Sequence, residues 1–313
     1  MIRREVEFRS QDALVGGTLL LPAGGAGPHP AVIMGGGWRN AKEIVLPHDA
    51  ETLVGAVVSM LDDRHVGASE GEPRQHMDPG RQDEDYRNAI TDVSGLHEID
   101  ADRIGVWANS RSGGQAIVVS ATDPRVECVI SDIPIDDSDG SMRRIHGSAR
   151  FNALPIRLVE DRKATAATWG AWGRVPMSSV KPFEDPSRRP FPLTHEISHD
   201  IEERGAALHG HWSAAEAAEP LPGGDVSPFA RRLHGTPIPL VVVEGDEIAL
   251  REPGIEPFDA IPSAQKRRVV IPHVSRMSLH SRTTHLQTAG EATAAFVRKR
   301  LVETGGAAAK EAA

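Results

Sequence analysis

A single serine lies where a strand pattern ends and a helix pattern begins. The segment 102–115 reads DRIGVWANSRSGGQ, in which an apolar run over 104–108 precedes Ser110 and a small, glycine-rich run follows it. Ala108 and Ser112 are small, as a serine on so tight a turn requires, because the backbones of the strand and the helix nearly touch there. Many ordinary strand-to-helix loops share this spacing, but the strand before and the helix after favour Ser110 as a catalytic nucleophile.

Composition restricts the partners of such a site. The chain has 313 residues, a formal net charge of −9, 25% charged residues and one cysteine, Cys128. The negative charge argues against nucleic acid and against an anionic membrane surface as partners. The first residues, MIRREVEF, lack the apolar core of a signal peptide, and no apolar run approaches the length of a membrane span. We expect a cytoplasmic protein with a small-molecule substrate, and a homodimer is left open.

Strand and helix patterns alternate along most of the chain. The strand patterns cover 2–21 as a pair, 31–34, 57–61, 104–108, 126–130, 238–243 and 268–271, and the helical patterns cover 44–55, 82–96, 115–121 and 288–302. This alternation predicts an α/β fold with a mostly parallel sheet covered by helices on both faces. Over 136–232 the alternation is lost and prolines recur, which indicates a helical lid. We predict a core of 1–135 and 233–304, a lid or cap insertion at 136–232 and a flexible tail at 305–313.

Several motifs in this order resemble those of the α/β-hydrolase fold. They are MGGGW at 34–38, GASEGEPRQ at 67–75, EDYRNAI at 84–90, the turn at Ser110, DPRV at 123–126, MRR at 142–144 and EGD at 244–246. The chain is similar in particular to an esterase-like branch that includes fungal polyketide transferases and thiohydrolases. The resemblance implies the α/β-hydrolase fold and a serine that attacks an ester, thioester or lactone.

The resemblance also implies a catalytic triad in the order serine, acid, histidine. Ser110 takes the first place, and Asp246, after the strand at 238–243, takes the second, with Asp132 as a weaker alternative for the acid. The histidine of relatives lies in a pattern of the type Pro-Gly-Val-Thr-His-Met-Ser-Leu-Tyr. Here 272–280 reads PHVSRMSLH, so that Arg276 takes the histidine's place. Arginine stays protonated and cannot act as a general base.

Three explanations for Arg276 stay open. His280, one helical turn further on, reaches Ser110; or His273 does so; or the site has no base. We favour His280 of the two histidines, because residues i and i+4 share one face of a helix.

Backbone N–H groups complete the predicted site. An oxyanion hole would use the N–H of Arg111, directly after the serine, and that of Trp38, which follows Gly37 in the glycine loop; losing one such donor typically costs two to three decades of rate. Three arginines, Arg39, Arg111 and Arg276, favour an anionic group on the substrate as a hypothesis. Aromatic residues that relatives carry around the pocket are missing here, which indicates either a more polar substrate or relaxed catalytic function.

Two functional hypotheses follow. The first is a serine hydrolase or acyl transferase that works through a Ser110 acyl-enzyme. The second is a non-hydrolytic enzyme or a small-molecule-binding protein on the hydrolase scaffold, because Arg276 replaces the base. We expect no cofactor, since the dinucleotide fingerprint and the phosphate loop are both missing, and no metal, since the histidines at 195, 199, 209 and 211 do not form a known zinc pattern.

Overall fold

The structure is a computed structural model, and it describes residues 1–24, 27–38, 40–53, 55–168, 173–179, 181, 195–196, 199, 210, 212–218, 224–249 and 258–303. The predicted tail at 305–313 and Arg39 lie outside the described residues, as do His209 and His211.

A sheet of eight strands forms the centre of the fold. Its strands are β1 (Ile2–Ser10), β2 (Ala13–Leu21), β3 (His29–Gly35), β4 (Val57–Leu61), β5 (Ile99–Asn109), β6 (Val126–Asp132), β9 (Ile238–Gly245) and β10 (Lys266–Ser275). The order across the sheet is β1-β2-β4-β3-β5-β6-β9-β10. Strands β1 and β2 pair antiparallel, β2 also pairs antiparallel with β4, and all the other pairs are parallel. The predicted α/β-hydrolase fold with a mostly parallel sheet is confirmed.

The helices are α1 (Leu46–Thr52), α2 (Pro79–Ser94), α3 (Ser110–Ser120), α4 (Ser138–His146), α5 (Ser148–Thr168), α6 (Ser227–Ala230), α7 (Arg276–Ser281) and α8 (Thr283–Val297). Helices α2 and α3 pack on one face of the sheet, where they share a core with β3 and β5, and α1 and α8 pack on the other face.

The central strands follow from their sequence. Along β5, Val106 and Ala108 contact the core beneath α2 and α3, whereas Trp107 contacts the core beneath α1 and α8. All three side chains are buried. A strand covered on both faces needs apolar residues at every position rather than at alternate ones, as this run provides. The carboxyl end of β5, and with it Ser110, is thereby held by packing from two sides.

The predicted insertion, 136–232, contributes α4, α5, α6 and a small sheet. That sheet pairs β7 (Arg174–Pro176) with β8 (Trp212–Ala214), antiparallel. None of the helices that the structure describes has the length and apolar content to cross a membrane.

A buried ion pair joins three parts of the core. Arg64, which follows β4, is 1% exposed and donates from Nη2 to Asp85 Oδ1 of α2 at 2.7 Å; the Asp85 side chain is 0% exposed. The same Nη2 donates to the carbonyl oxygen of Ser10 at the end of β1. The pair therefore links α2 to the first strand and to the loop after β4.

We predict that Arg64→Ala lowers the free energy of unfolding by about 3–5 kcal/mol, because it leaves the Asp85 carboxylate buried without its partner. Urea unfolding measures the change. Arg3→Ala is the control, because Arg3 and Glu5 form an exposed pair with side chains 58% and 60% exposed; it should alter stability by less than about 0.5 kcal/mol. Equal losses in both variants would contradict the assignment.

Candidate active site

Ser110 lies at the turn between β5 and α3. Its φ of 54° is in the left-handed region, which non-glycine residues rarely adopt and which costs about 1–3 kcal/mol unless the surroundings enforce it. The turn is held by a hydrogen bond from the Ile135 N–H to the Ser110 carbonyl oxygen at 2.9 Å. The Ser110 side chain lines a cleft at the carboxyl edge of the sheet. This is the strained serine turn that the sequence predicts.

Two glycines allow the turn to pack so closely. A Cβ at Gly37 would lie 2.8 Å from Ser110 Cβ and 3.3 Å from Ser110 Oγ. A Cβ at Gly114 would lie 2.6 Å from the carbonyl oxygen of Ile135. Real Cβ atoms do not approach other atoms this closely, so a side chain at either position would displace the serine turn or its support.

Strand pairing brings Arg276 to the same edge. Strands β9 and β10 run parallel, and Ser275 at the end of β10 is opposite Gly245 at the end of β9. The next residues, Asp246 and Arg276, therefore leave the sheet side by side. Ser275 caps α7 by accepting from the Ser278 N–H at 3.2 Å, which fixes Arg276 as the first residue of that helix.

The Arg276 guanidinium uses all of its donors. Its Nε and Nη2 donate to the two carboxylate oxygens of Asp246 at 2.9 and 2.6 Å. Its Nη1 donates to Ser110 Oγ at 3.1 Å and to the Ile133 carbonyl at 2.6 Å, and Nη2 donates to the Pro134 carbonyl at 3.3 Å. A guanidinium has five N–H donors, and these five bonds account for them.

Arg276 thus joins the acid to the serine as a catalytic histidine would, but with the opposite chemistry at the serine. A neutral imidazole accepts the serine proton, whereas Arg276 donates a proton into the hydrogen bond, so that Ser110 Oγ is the acceptor. Asp246 is fixed in turn, because its Oδ1 accepts from the N–H groups of Ile248 and Ala249 at 3.0 and 2.9 Å. Arg276 cannot take the serine proton.

The positive charge of Arg276 also affects the pKa values of two further carboxyl groups. Burial raises the pKa of Asp132 to about 7, and the nearby Arg276 charge opposes this rise. Burial likewise raises the pKa of Asp136 to about 7, with Arg276 again opposing. The Arg276 guanidinium therefore hydrogen-bonds to Asp246 and interacts through its charge with two more buried acids. Its charge is compensated within the protein.

The two candidate histidines lie in different places. His280 is on α7, one turn after Arg276, and its side chain lines the cleft together with Ser110. The hydrogen bond to Ser110 Oγ within the described part of the chain comes from Arg276, not from His280. The His273 side chain is 92% exposed, on the outer strand β10, and its Nδ1 lies 3.5 Å from Glu244 Oε2. This position removes His273 as a base for Ser110.

The predicted oxyanion donors belong to the residue after Ser110 and to a residue that lines the same cleft. Arg111 is the second residue of α3, where backbone N–H groups have no partner inside the helix. Trp38 follows Gly37 and lines the cleft. The N–H groups of these two residues are therefore the available candidates for holding a carbonyl oxygen near Ser110.

The arginines do not form the anion site that the sequence favours. The Arg111 side chain is 3% exposed and does not line the cleft. Burial lowers its pKa, and the opposing charge is that of Asp83. Since Arg276 already uses its five donors, neither side chain offers a free cation to a substrate. The structure therefore gives no support to an anionic substrate group at these two residues, and the hypothesis stays a prediction.

The cleft is mainly apolar, which does not support a more polar substrate, the first of the two alternatives that the missing aromatic residues left open. It encloses about 680 Å³, counting its open mouth, and its lining residues are Trp38, Asn40, Ser110, Ile135, Ser138, Ser141, Met142, Ile145, Met177, Ile248, Arg276, Met277 and His280. Methionine and isoleucine provide the apolar surface here.

Several of these lining residues escape prediction from the sequence. Ser138, Met142 and Ile145 reach the cleft from α4, and Met177 follows β7. They belong to the region where the sequence loses its periodicity, and only Met142 falls in a motif, the MRR of 142–144. The pairing of Asp246 with Arg276 has a signal, namely opposite charges after two predicted strands that neighbour each other in the sheet.

Metal binding has no support in the described part of the molecule. No group of three or more His, Cys, Asp or Glu residues there is arranged to hold a metal ion. His195 instead lies 3.2 Å from Ser178 Oγ through Nδ1, with its ring 5.5 Å from that of His199.

Four features define the fold as that of an α/β hydrolase. They are the strand order, the serine turn after β5, an acid after β9 and a glycine loop after β3. No protein-family model matches the chain. The thiohydrolase aneE of Aspergillus aculeatus is 30% identical over 276 residues, which cover 84% of this chain and 83% of the relative. The acyltransferase drtE of Aspergillus calidoustus is 30% identical over 268 residues, covering 82% of each chain.

A solved structure agrees with this assignment. The α/β hydrolase GrgF from Penicillium sp. sh18 superimposes with a TM-score of 0.81 at 20% identity, covering 96% of this chain and 99% of that one. The chain belongs to the family of hydrolase-fold enzymes that contains these fungal thiohydrolases and acyltransferases. The family resemblance inferred from the motifs is confirmed.

We predict that Gly37→Ala lowers the free energy of unfolding by about 1–3 kcal/mol, because the new methyl group overlaps the Ser110 side chain. Thermal or urea unfolding measures the effect. Gly235→Ala serves as the control, since a Cβ there meets nothing within 4 Å. If Gly37→Ala were as stable as the control, the loop and the serine turn would not be in contact.

A second prediction concerns the pH dependence of stability. Because the pKa of Asp132 rises from 3.8 to about 7 on folding, the folded state binds a proton that the unfolded state has lost between these values. This contribution is present below about pH 4 and is lost as the pH rises through about 7. Asp132→Asn removes it, so the stability of the variant relative to wild type should increase over this range.

Urea unfolding at about pH 4.5 and about pH 7.5 tests this difference. Asp259→Asn, a change at an exposed carboxyl, should keep a constant offset from wild type. A constant offset for Asp132→Asn as well would show that Asp132 does not bind a proton in the folded protein.

Proposed function

We propose that the protein is a hydrolase or acyl transferase that acts on the carbonyl of an ester or thioester with an apolar acyl chain, and that Ser110 is its nucleophile. The observation that carries the proposal is the strained Ser110 turn, whose side chain lines the cleft. The N–H groups of Arg111 and Trp38 would serve as the oxyanion hole. The printed names of the relatives, a thiohydrolase and an acyltransferase, support this class of reaction.

In this reaction Ser110 Oγ forms a bond to the acyl carbon, and the oxygen of the former carbonyl becomes an oxyanion held by the two N–H groups. Collapse of that intermediate breaks the bond to the leaving thiol or alcohol and leaves an acyl-enzyme. Water or another alcohol then attacks the acyl carbon and regenerates Ser110.

The serine proton requires an acceptor other than Arg276. His280 is the candidate, because it lines the same cleft from the same face of α7. His280 would take the proton from Ser110 and give it to the leaving group. Arg276 would assist as a donor to Oγ, since a nearby positive charge favours the ionised form of a hydroxyl.

A second candidate function is favoured by the five hydrogen bonds of Arg276. With Oγ held as an acceptor, Ser110 can instead donate its own proton to a bound carbonyl. The protein would then bind an acyl compound, or promote a reaction within it, without an acyl-enzyme. The mainly apolar lining of the cleft suits such a ligand equally well.

Covalent labelling with a fluorophosphonate probe distinguishes the two functions. For the first, we expect wild type to be labelled, Ser110→Ala to lose all labelling, and His280→Ala to lose about two decades of labelling rate, as removal of a general base does. His273→Ala is the matched control, because that histidine is 92% exposed and paired with Glu244; it should label like wild type.

Arg276→His provides the complementary measurement. This variant places an imidazole between Asp246 and Ser110, so it should be labelled if the rest of the site is competent. Wild type that resists labelling while Arg276→His reacts would reject the first function and support the second.

A further inference from the structure

The outer face of helix α5 exposes two large apolar side chains. Ile156 and Val159 are 63% and 49% exposed. The other exposed large apolar residues in the described part of the chain are Met1 and Ile2, at the amino terminus, and Val270, on the edge strand β10. Single apolar residues are ordinary on a protein surface. Ile156 and Val159 instead form a pair, because residues three positions apart lie next to each other on a helix.

The inner face of the same helix packs on the wall of the cleft. Phe151 is buried, and Leu154 and Leu158 are partly buried against the same apolar cluster. That cluster also contains Trp38 and Met142, which line the cleft. The inner face therefore fixes the orientation of α5, and the outer face is directed away from the core.

Four exposed residues form a stripe along the outer face of α5. Ile156, Glu160, Lys163 and Ala167, here called the α5 stripe, recur at i, i+4, i+7 and i+11, which places them on one side of the helix. Pro155 precedes the stripe, so the distortion that proline causes in a helix lies before it. Neither charged side chain of the stripe forms an ion pair with a residue that the structure describes.

The α5 stripe is complementary to itself. Two copies can place their α5 helices antiparallel about a two-fold axis that lies midway between Glu160 and Lys163. Ile156 of each copy then faces Ala167 of the other, and Glu160 faces Lys163 of the other. Each contact occurs twice, because an interface with two-fold symmetry uses the same surface of both copies. A large side chain opposite a small one allows close packing, and opposite charges face each other.

The charges favour a second copy over an anionic membrane surface as the partner. The stripe carries one acid and one base, whereas the whole chain has a formal net charge of −9. An anionic lipid surface would repel Glu160 and the chain as a whole. The stripe is about 18 Å long, so the contact is smaller than the interface of about 1,600 Å² that a stable complex buries. We therefore expect weak association, with a dissociation constant in the micromolar range.

We propose that the protein forms a weak homodimer through antiparallel pairing of the α5 stripe, with Ile156 against Ala167 and Glu160 against Lys163 of the second copy. The pairing restrains the outer side of the helix whose inner side packs on the cleft wall. The proposal does not depend on the reactivity of Ser110, so it stands or falls separately from the proposed function.

Sedimentation equilibrium of the full chain, from micromolar to submillimolar concentration, tests the contact. We expect wild type to change from monomer to dimer over this range. Ile156→Asp should weaken association more than about tenfold, because it places an unpaired charge in the apolar part of the contact. Ile2→Asp is the matched control, since Ile2 is 59% exposed on β1, and it should associate like wild type. A wild type that stays monomeric at every concentration, or an Ile156→Asp variant that dimerises like wild type, would overturn the proposal.

Exchange of the two charges tests the antiparallel arrangement. Glu160→Lys and Lys163→Glu each place like charges opposite each other twice, so each should raise the dissociation constant about tenfold at low salt. The double variant Glu160→Lys/Lys163→Glu restores opposite charges and should associate like wild type. Weakening in both single variants without recovery in the double variant would overturn the antiparallel pairing.

Flotation with phosphatidylcholine vesicles that contain phosphatidylserine tests the competing partner. We expect wild type to remain unbound. A monomeric wild type that binds these vesicles, and loses binding in Ile156→Asp, would overturn the homodimer and assign the stripe to a membrane surface.

Discussion

A single buried guanidinium holds together the carboxyl edge of the sheet at which Ser110 lies. Arg276 is 2% exposed and bonds to Asp246 after β9, to the carbonyls of Ile133 and Pro134 after β6, and to Ser110 after β5. These segments leave three adjacent strands of the sheet. A buried ion pair gains little over apolar packing, but removal of one partner typically costs about 3–5 kcal/mol, because the other charge is left uncompensated. The edge therefore depends on the arginine once its acids are buried.

This dependence couples chemistry to stability. A histidine at position 276 could accept the serine proton but carries only two ring nitrogens, so it could not replace all five hydrogen bonds. It would also leave the acids near Arg276, Asp132 and Asp136, without a permanent positive charge. One residue therefore cannot both accept the proton of Ser110 and balance the buried acids. With arginine at position 276, the serine turn is held by more hydrogen bonds, but the position beside Ser110 has no general base.

The fold could be predicted from the sequence wherever the apolar pattern of a segment matches the burial of that segment in the folded protein. The strand predicted at 57–61 has the same bounds in the structure, because its apolar run is buried on both faces. Ser110 and Asp246 lie at strand ends, which topology places at one edge. Side-chain direction is different, since it is decided by packing. Arg111 is buried, with Asp83 as the opposing charge, and His273 is exposed, and neither outcome is visible in residue type or spacing. The lining from α4 was equally hidden, because its position depends on contacts of the insertion.

The groups proposed to react with a substrate and those proposed to select it consequently come from different parts of the chain. The groups that would hold and attack a carbonyl come from the ends of β3, β5 and β9 and from α7, all within the predicted core of the chain. The groups that would choose the acyl chain come largely from α4 and the residues after β7. Loops and inserted segments can change without disturbing the sheet, since few core contacts depend on them. Helix α4 begins only three residues after Ile135, whose N–H bonds to the Ser110 carbonyl oxygen. The start of the insertion is therefore anchored at the edge of the sheet where Ser110 lies.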